Sequence, residues 1–146
     1  MSTWTTNAWA RGRPDDVLRV LTDPAAAARW APVTFELEGS ERLVEGRTTV
    51  VRGQVAGWRV EFELDVHRAR EDVLELTAEG PVVFDVRYRV EEQLDGSQIE
   101  ASVSVVRRPG LVNALVARCA ETLFAGGALK LAVTAIAAEV DALQLQ

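Results

Sequence analysis

The chain has 146 residues, one cysteine and a formal net charge of −6. A chain of this length buries roughly 68–70% of its unfolded surface, enough for one core without disulfide or metal staples. The acidic balance excludes a nucleic-acid binder that tracks phosphates with a basic patch, and the single Cys119 excludes an internal disulfide and permits a reducing compartment.

The opening Met1–Asn7 has neither a basic head nor an apolar run, so no secretion signal is expected. The longest uncharged apolar stretch, Leu131–Ala138, is far too short to span a bilayer. A cytoplasmic protein without a membrane span follows from these readings. Trp4–Ala10 reads as a first strand. A short helix comes next, with Pro14 at its first position and Asp15 and Asp16 in its first turn, where the helix dipole favours acids. Val17, Val20 and Leu21 supply its buried face. A second short helix begins at Asp23-Pro24 and ends at Trp30-Ala31-Pro32, because a residue before proline is pushed out of the helical region. Trp30 is then either a plug under the sheet or a residue at a pocket rim.

Strands are expected at Val33–Leu37, Arg47–Val55, Trp58–Val66, Val73–Ala78, Val82–Val90 and Ile99–Val106. Asp95-Gly96 marks a hairpin. Two of these strands alternate cleanly. Trp58, Val60, Phe62, Leu64 and Val66 interleave with Arg59, Glu61, Glu63 and Asp65. Val82, Phe84, Val86, Tyr88 and Val90 repeat the pattern against Asp85, Arg87, Arg89 and Glu91. Period 2 of this kind describes an antiparallel sheet wet on one face and covered on the other.

The cover is expected to be one long helix over Leu111–Leu143, about 50 Å long if straight. Its apolar stripe is Leu111, Leu115, Cys119, Thr122, Gly126, Leu129, Val133, Ile136, Val140 and Leu143, stepping by three and four. Bulk fills both ends, while Cys119, Thr122 and Gly126 leave the middle small. Either a cavity opens there, with Trp58, Phe62, Phe84 and Tyr88 as walls, or the aromatics of the sheet fill the gap. Gly126-Gly127 costs about 2 kcal/mol of helix propensity, and either kinks the helix or permits close packing.

The segment Val17-x3-Leu21-x-Asp23-Pro24-x5-Trp30-x-Pro32, preceded by one strand and followed by six strands and a helix, resembles the START-like helix-grip superfamily. It is most similar to the branch of polyketide cyclases, dehydrases and lipid-transport proteins, over essentially all of residues 1–146. Leu18 stands where many relatives carry tryptophan. The resemblance implies an α+β helix-grip fold in a single domain: a curved antiparallel sheet of about seven strands around one long C-terminal helix, with two short helices after the first strand. It also implies a cavity for sterols, lipids or polyketides. No catalytic motif of the cyclases matches residue by residue.

The ligand-binding set read from the sequence is Trp58, Phe62, Phe84, Tyr88, Leu115, Arg118, Cys119 and Thr122. Tyr88 has the inward phase, so its hydroxyl finds either a protein partner or a ligand. Arg118 lies within about 40° of the stripe centre, and either anchors a ligand oxyanion with Tyr88 or snorkels to water. His67, the only histidine, points outward at a strand end. With one histidine and one cysteine no metal site is expected, nor is a cofactor or a catalytic residue. The expected partner is a small apolar molecule, held by a non-catalytic carrier or sensor. The alternatives are a polyketide cyclase/dehydrase and a protein-interaction module with a vestigial cavity. The oligomeric state is left open.

Overall fold

The computed structural model describes residues 2–23, 34–37, 43–55, 58–70 and 72–144, with the side chains of residues 34–37, Val55 and Trp58 outside the description. In chain order the elements are β1 (Ser2–Ala10), α1 (Pro14–Thr22), β2 (Thr34–Leu37), β3 (Thr48–Val55), β4 (Trp58–Arg70), β5 (Val73–Glu79), β6 (Val82–Gln93), β7 (Gly96–Arg107), α2 (Leu111–Ala125) and α3 (Ala128–Leu143). The expected second short helix at 24–30, with Trp30, lies outside the described residues. Among the described residues the seven strands form one sheet in the order β1-β7-β6-β5-β4-β3-β2, and every pairing is antiparallel. This is the helix-grip α+β architecture.

Alternation decides which face is covered. Val60, Phe62, Leu64 and Val66 of β4 are buried, while Arg59, Glu61 and Glu63 are exposed. β4 runs four residues beyond its expected end at Val66, and the register shifts between Val66 and Arg68. Such a bulge adds one residue to one strand, and here it turns Ala69 inward again while His67 stays exposed. The β6–β7 hairpin closes over Leu94 and Asp95, with Gln93 paired to Gly96. Gly96 is required by contact, since a Cβ there would stand 2.1 Å from the Ala10 carbonyl oxygen.

α1 buries Val17, Val20 and Leu21, as its spacing predicts. The Arg13 amide donates to the Asp16 carboxylate at 3.2 Å, holding the first turn. The expected single long helix is instead two helices, α2 and α3, bent by 60° at the glycine pair. Gly127 adopts φ +94, a left-handed conformation that side-chain-bearing residues avoid, and nothing lies within 4 Å of the position its Cβ would take. A Cβ on Gly126 would meet nothing within 4 Å but carbonyls of its own helix, Thr122 and Leu123. Close packing therefore does not explain the pair; the turn does.

Candidate functional site

The covered face holds two apolar clusters. α3 contributes Leu129, Val133, Ile136, Ala137 and Val140 to the first, against Val17, Val20 and Leu21 of α1 and Leu74, Tyr88, Val90, Ile99 and Ala101 of the sheet. Of the buried residues of the second, α2 contributes only Val116 and Ala117, against Val60, Phe62, Leu64, Ala78, Val82 and Val105. Trp4, Leu43, Leu76, Phe84 and Phe124 touch both clusters, and each of them is half-buried. The seam between the clusters is thus lined by large apolar groups that keep solvent-accessible surface.

The strand registers locate this seam. Two neighbouring cross-strand rows cross the inner face: Leu64–Ala78–Phe84–Val105 and Val66–Leu76–Val86–Val103–Trp4. Phe84, Leu76 and Val86, on the central strands β5 and β6, are half-buried. One row further along, Leu74, Tyr88 and Ala101 are 1%, 5% and 0% exposed. Inward side chains in the middle of a covered sheet are ordinarily packed out of reach of water. Here the helices cover these rows incompletely, and Leu76, Phe84 and Val86 keep part of their surface accessible.

Aromatic rings follow the seam. Trp4 and Phe124 have ring centroids 5.3 Å apart, Phe124 and Phe84 6.2 Å, and Phe84 and Phe62 5.4 Å. The chain of rings ties β1, α2, β6 and β4 together at separations where tilted aromatic pairs attract. An apolar surface with this aromatic content suits a flat or aliphatic molecule and offers little to a charged one.

Four of the eight expected ligand-binding residues face inward. Phe62 and Phe84 meet in the seam, and Cys119 is half-buried against the second cluster. Tyr88 belongs to the first cluster, where burial pushes its hydroxyl well above the usual phenol range. It is therefore neutral at ordinary pH, a hydrogen-bonding group and not a base. Leu115, Arg118 and Thr122, expected to face the sheet, are exposed, and the Thr122 hydroxyl donates to the Arg118 carbonyl oxygen at 2.8 Å. The side chain of Trp58 lies outside the described residues.

The correction has a physical origin. Leu111 and Leu129 are eighteen residues apart, about five full turns of an unbroken helix, so one stripe joins them. The turn at Gly126-Gly127 interrupts that count, and α2 buries Val116, Ala117 and Ala120 instead. Ala120 lies about 180° around the helix from Leu111. The convergence of Arg118 and Tyr88 on one ligand oxygen is ruled out by the same reversal. Read as a separate helix, residues 111–125 present Val116, Ala120 and Phe124 at spacings of four, a signal that the continuous reading hid. Trp4 was legible from the alternation of β1, whose Thr3, Thr5, Asn7 and Trp9 are exposed.

The outer face carries polar chemistry of another kind. His67 Nε2 lies 2.7 Å from the Thr77 hydroxyl, which donates to Asp85 at 3.0 Å. Arg87 and Arg68 flank Glu75 at 3.0 and 4.0 Å. The sheet itself separates all of these groups from the seam. Among the described residues no cluster of three or more histidine, cysteine or acidic side chains is placed to hold a metal ion.

The model of the family described as polyketide cyclase/dehydrase and lipid transport matches residues 9–141. No curated protein sequence matches the chain. Among solved structures, protein CV1439 from Chromobacterium violaceum superposes with a TM-score of 0.73 at 13% identity, over 97% of this chain and 99% of that one. TTHA0849 from Thermus thermophilus gives 0.72 at 13% identity, with coverage of 97% and 99%. The Zhui aromatase/cyclase from Streptomyces sp. R1128 gives 0.69 at 18% identity, over 96% of this chain and 93% of that one. At these identities the structures share the fold alone, but the family model spans nearly the whole sequence, inner-face strands and both C-terminal helices included; the chain is a member of the polyketide cyclase/dehydrase and lipid-transport family.

Proposed function

We propose that the protein binds a small apolar molecule, a lipid, sterol or polyketide-like compound, in the seam between the sheet and α2, as a non-catalytic carrier or sensor in the cytoplasm. The observation that carries this reading is the half-buried state of Leu76, Phe84 and Val86 in the middle of a covered sheet. Phe62, Phe84, Phe124, Trp4 and Cys119 are its walls. Tyr88, at the edge of the first cluster, is the nearest candidate to orient a polar end of the ligand, as a neutral hydrogen-bonding group.

An environment-sensitive apolar dye tests the reading. It is expected to brighten with the wild-type protein and to be displaced by fatty acids, sterols or aromatic polyketides. Val86→Phe adds volume to the seam and should weaken uptake about tenfold, a loss of about 1.4 kcal/mol, while the protein stays folded. Undiminished uptake by a folded Val86→Phe would place the ligand elsewhere.

A second reading, a cyclase/dehydrase enzyme, is favoured by the likeness to an aromatase/cyclase in fold. In that case the seam shapes a reactive poly-β-keto chain and Tyr88 donates a hydrogen bond to a carbonyl oxygen. Conversion of such a chain to a cyclised product, lost in Tyr88→Phe, would establish it.

A further inference from the structure

α2 has a second face that the seam does not use. Leu111 is 81% exposed, Val112 53%, Leu115 43% and Leu123 38%. Together α2 and α3 are apolar enough to resemble a membrane-crossing pair, but they are bent by 60° and no single helix is long and apolar enough to cross a membrane. In α3 most of that apolarity packs inside, at Leu129, Ala132, Val133, Ile136, Ala137 and Val140, and Leu131 is left exposed at 71%. In α2 Phe124 turns into the seam, but all three leucines and Val112 point to water.

The charge around this ridge differs in sign from the chain as a whole. Arg107, Arg108 and Arg118 are exposed, and no acid occurs between Arg107 and Ala120 in a chain of net charge −6. The acids that reach the region are already engaged. Glu121 takes both ends of the Arg107 guanidinium at 2.9 Å, and Glu79 faces Arg108 at 3.7 Å. Arg118 has no ion pair among the described residues.

We propose that the Leu111–Val112–Leu115 ridge, with Arg108 and Arg118, is a docking surface for an anionic lipid bilayer. Protruding aliphatic side chains flanked by arginine are what a helix lying in a membrane interface presents: the apolar groups enter the acyl boundary and the cations meet lipid phosphates. A second copy of this chain is a poorer occupant, since a two-fold interface would set the same basic rim against itself. The inference rests on the reading above in one respect. An apolar cargo is concentrated in membranes, and α2 is the helix that covers the seam, so the docked ridge would bring the seam to the reservoir.

Co-sedimentation with vesicles of phosphatidylcholine, with and without phosphatidylglycerol, tests the proposal. Binding is expected to vesicles containing phosphatidylglycerol, to fall with added salt as screening shortens below about 10 Å, and to be far weaker to phosphatidylcholine alone. Leu111→Glu should abolish it. Arg118→Gln should reduce it about fivefold, as expected for one basic residue near an anionic surface. Both positions are exposed, so both variants should keep wild-type circular dichroism and dye uptake in solution. Absence of binding to the anionic vesicles, or binding unchanged by Leu111→Glu, overturns the proposal. So does a dimer in solution that Leu111→Glu dissociates. Dye uptake failing in the wild type, by contrast, would overturn the seam as a ligand site and leave the vesicle result to stand separately.

Discussion

α2 and α3 are nearly equal in length, 15 and 16 residues, and cover the same sheet, yet the chain holds them by different means. α3 buries seven residues, among them Val133, Ile136 and Val140 with no exposed surface. Polar ties secure it as well. The Arg11 amide donates to Asp141 at 2.8 Å, Gln144 donates to Asp16 at 3.2 Å, and Lys130 donates to the Asn7 carbonyl oxygen. α2 buries only Val116, Ala117 and Ala120. A valine and two alanines, with half-buried Phe124 and Cys119 beside them, remove less apolar area from water than the seven buried residues of α3, and hydrophobic stabilisation scales with that area. One helix serves as the floor of the fold. The other is a thin cover, and the seam lies under its end.

This contrast is broken or upheld most directly by truncating matched positions. Ile136→Ala should cost about 2–5 kcal/mol, as for other fully buried aliphatic residues. Leu115→Ala should stay within about 0.5 kcal/mol, as for a surface site. Urea unfolding at neutral pH measures both. A continuous amphipathic helix would make the two costs similar, and similar costs would refute the outward orientation of Leu115.

Much of this molecule was legible from the order of its residues because strand alternation is a local signal. The inward positions Val60, Phe62, Leu64, Val82 and Tyr88 needed no knowledge of the rest of the chain. Nor did the buried face of α1, where Pro14 and two aspartates fix the start and therefore the phase. The helix face failed for the opposite reason. A helical stripe is a running count, and an interruption of unstated size loses it. Gly126-Gly127 was visible as a choice between a kink and close packing, but the rotation it introduces depends on the φ of +94 at Gly127, which composition does not state. The seam was half legible. Its sheet wall, Phe62 and Phe84, follows from alternation, whereas Phe124 and Ala120 follow only once residues 111–125 are counted alone.

The glycine turn gives the next largest effect and a test of sign. In a continuous helix, replacing either glycine by alanine would stabilise by about 1 kcal/mol. With the turn present, Gly127→Ala puts a Cβ in a left-handed conformation at a cost of about 1–2 kcal/mol, although the space around it is empty. Gly126, at φ −81, accepts alanine without that strain. Thermal unfolding should therefore separate neighbouring positions, with Gly127→Ala less stable than wild type and Gly126→Ala not. Stabilisation by both would restore the single helix.

The smallest expected effect concerns what pins α2 where apolar burial is thin. Arg107, at the end of β7, and Glu121, in the second half of α2, meet through two hydrogen bonds of 2.9 Å. The hydrogen bond from Arg107 is the main influence holding the Glu121 carboxyl below the ordinary carboxylate range, and the nearby positive charge adds to it. A folded-state pKa depressed in this way contributes stability above the unfolded value, and the contribution is lost as pH falls through the folded one. Glu121→Gln should accordingly be less stable than wild type at neutral pH, by less than Gly127→Ala, because both partners are solvent-screened. The difference should shrink as the pH is lowered below about 4.3 and disappear once Glu121 is protonated in the folded protein. Added salt should narrow it in the same direction. A deficit that stayed constant across the acid range would mean that Glu121 supports α2 through its shape, and the comparison between a packed helix and a charge-pinned one would lose its electrostatic half.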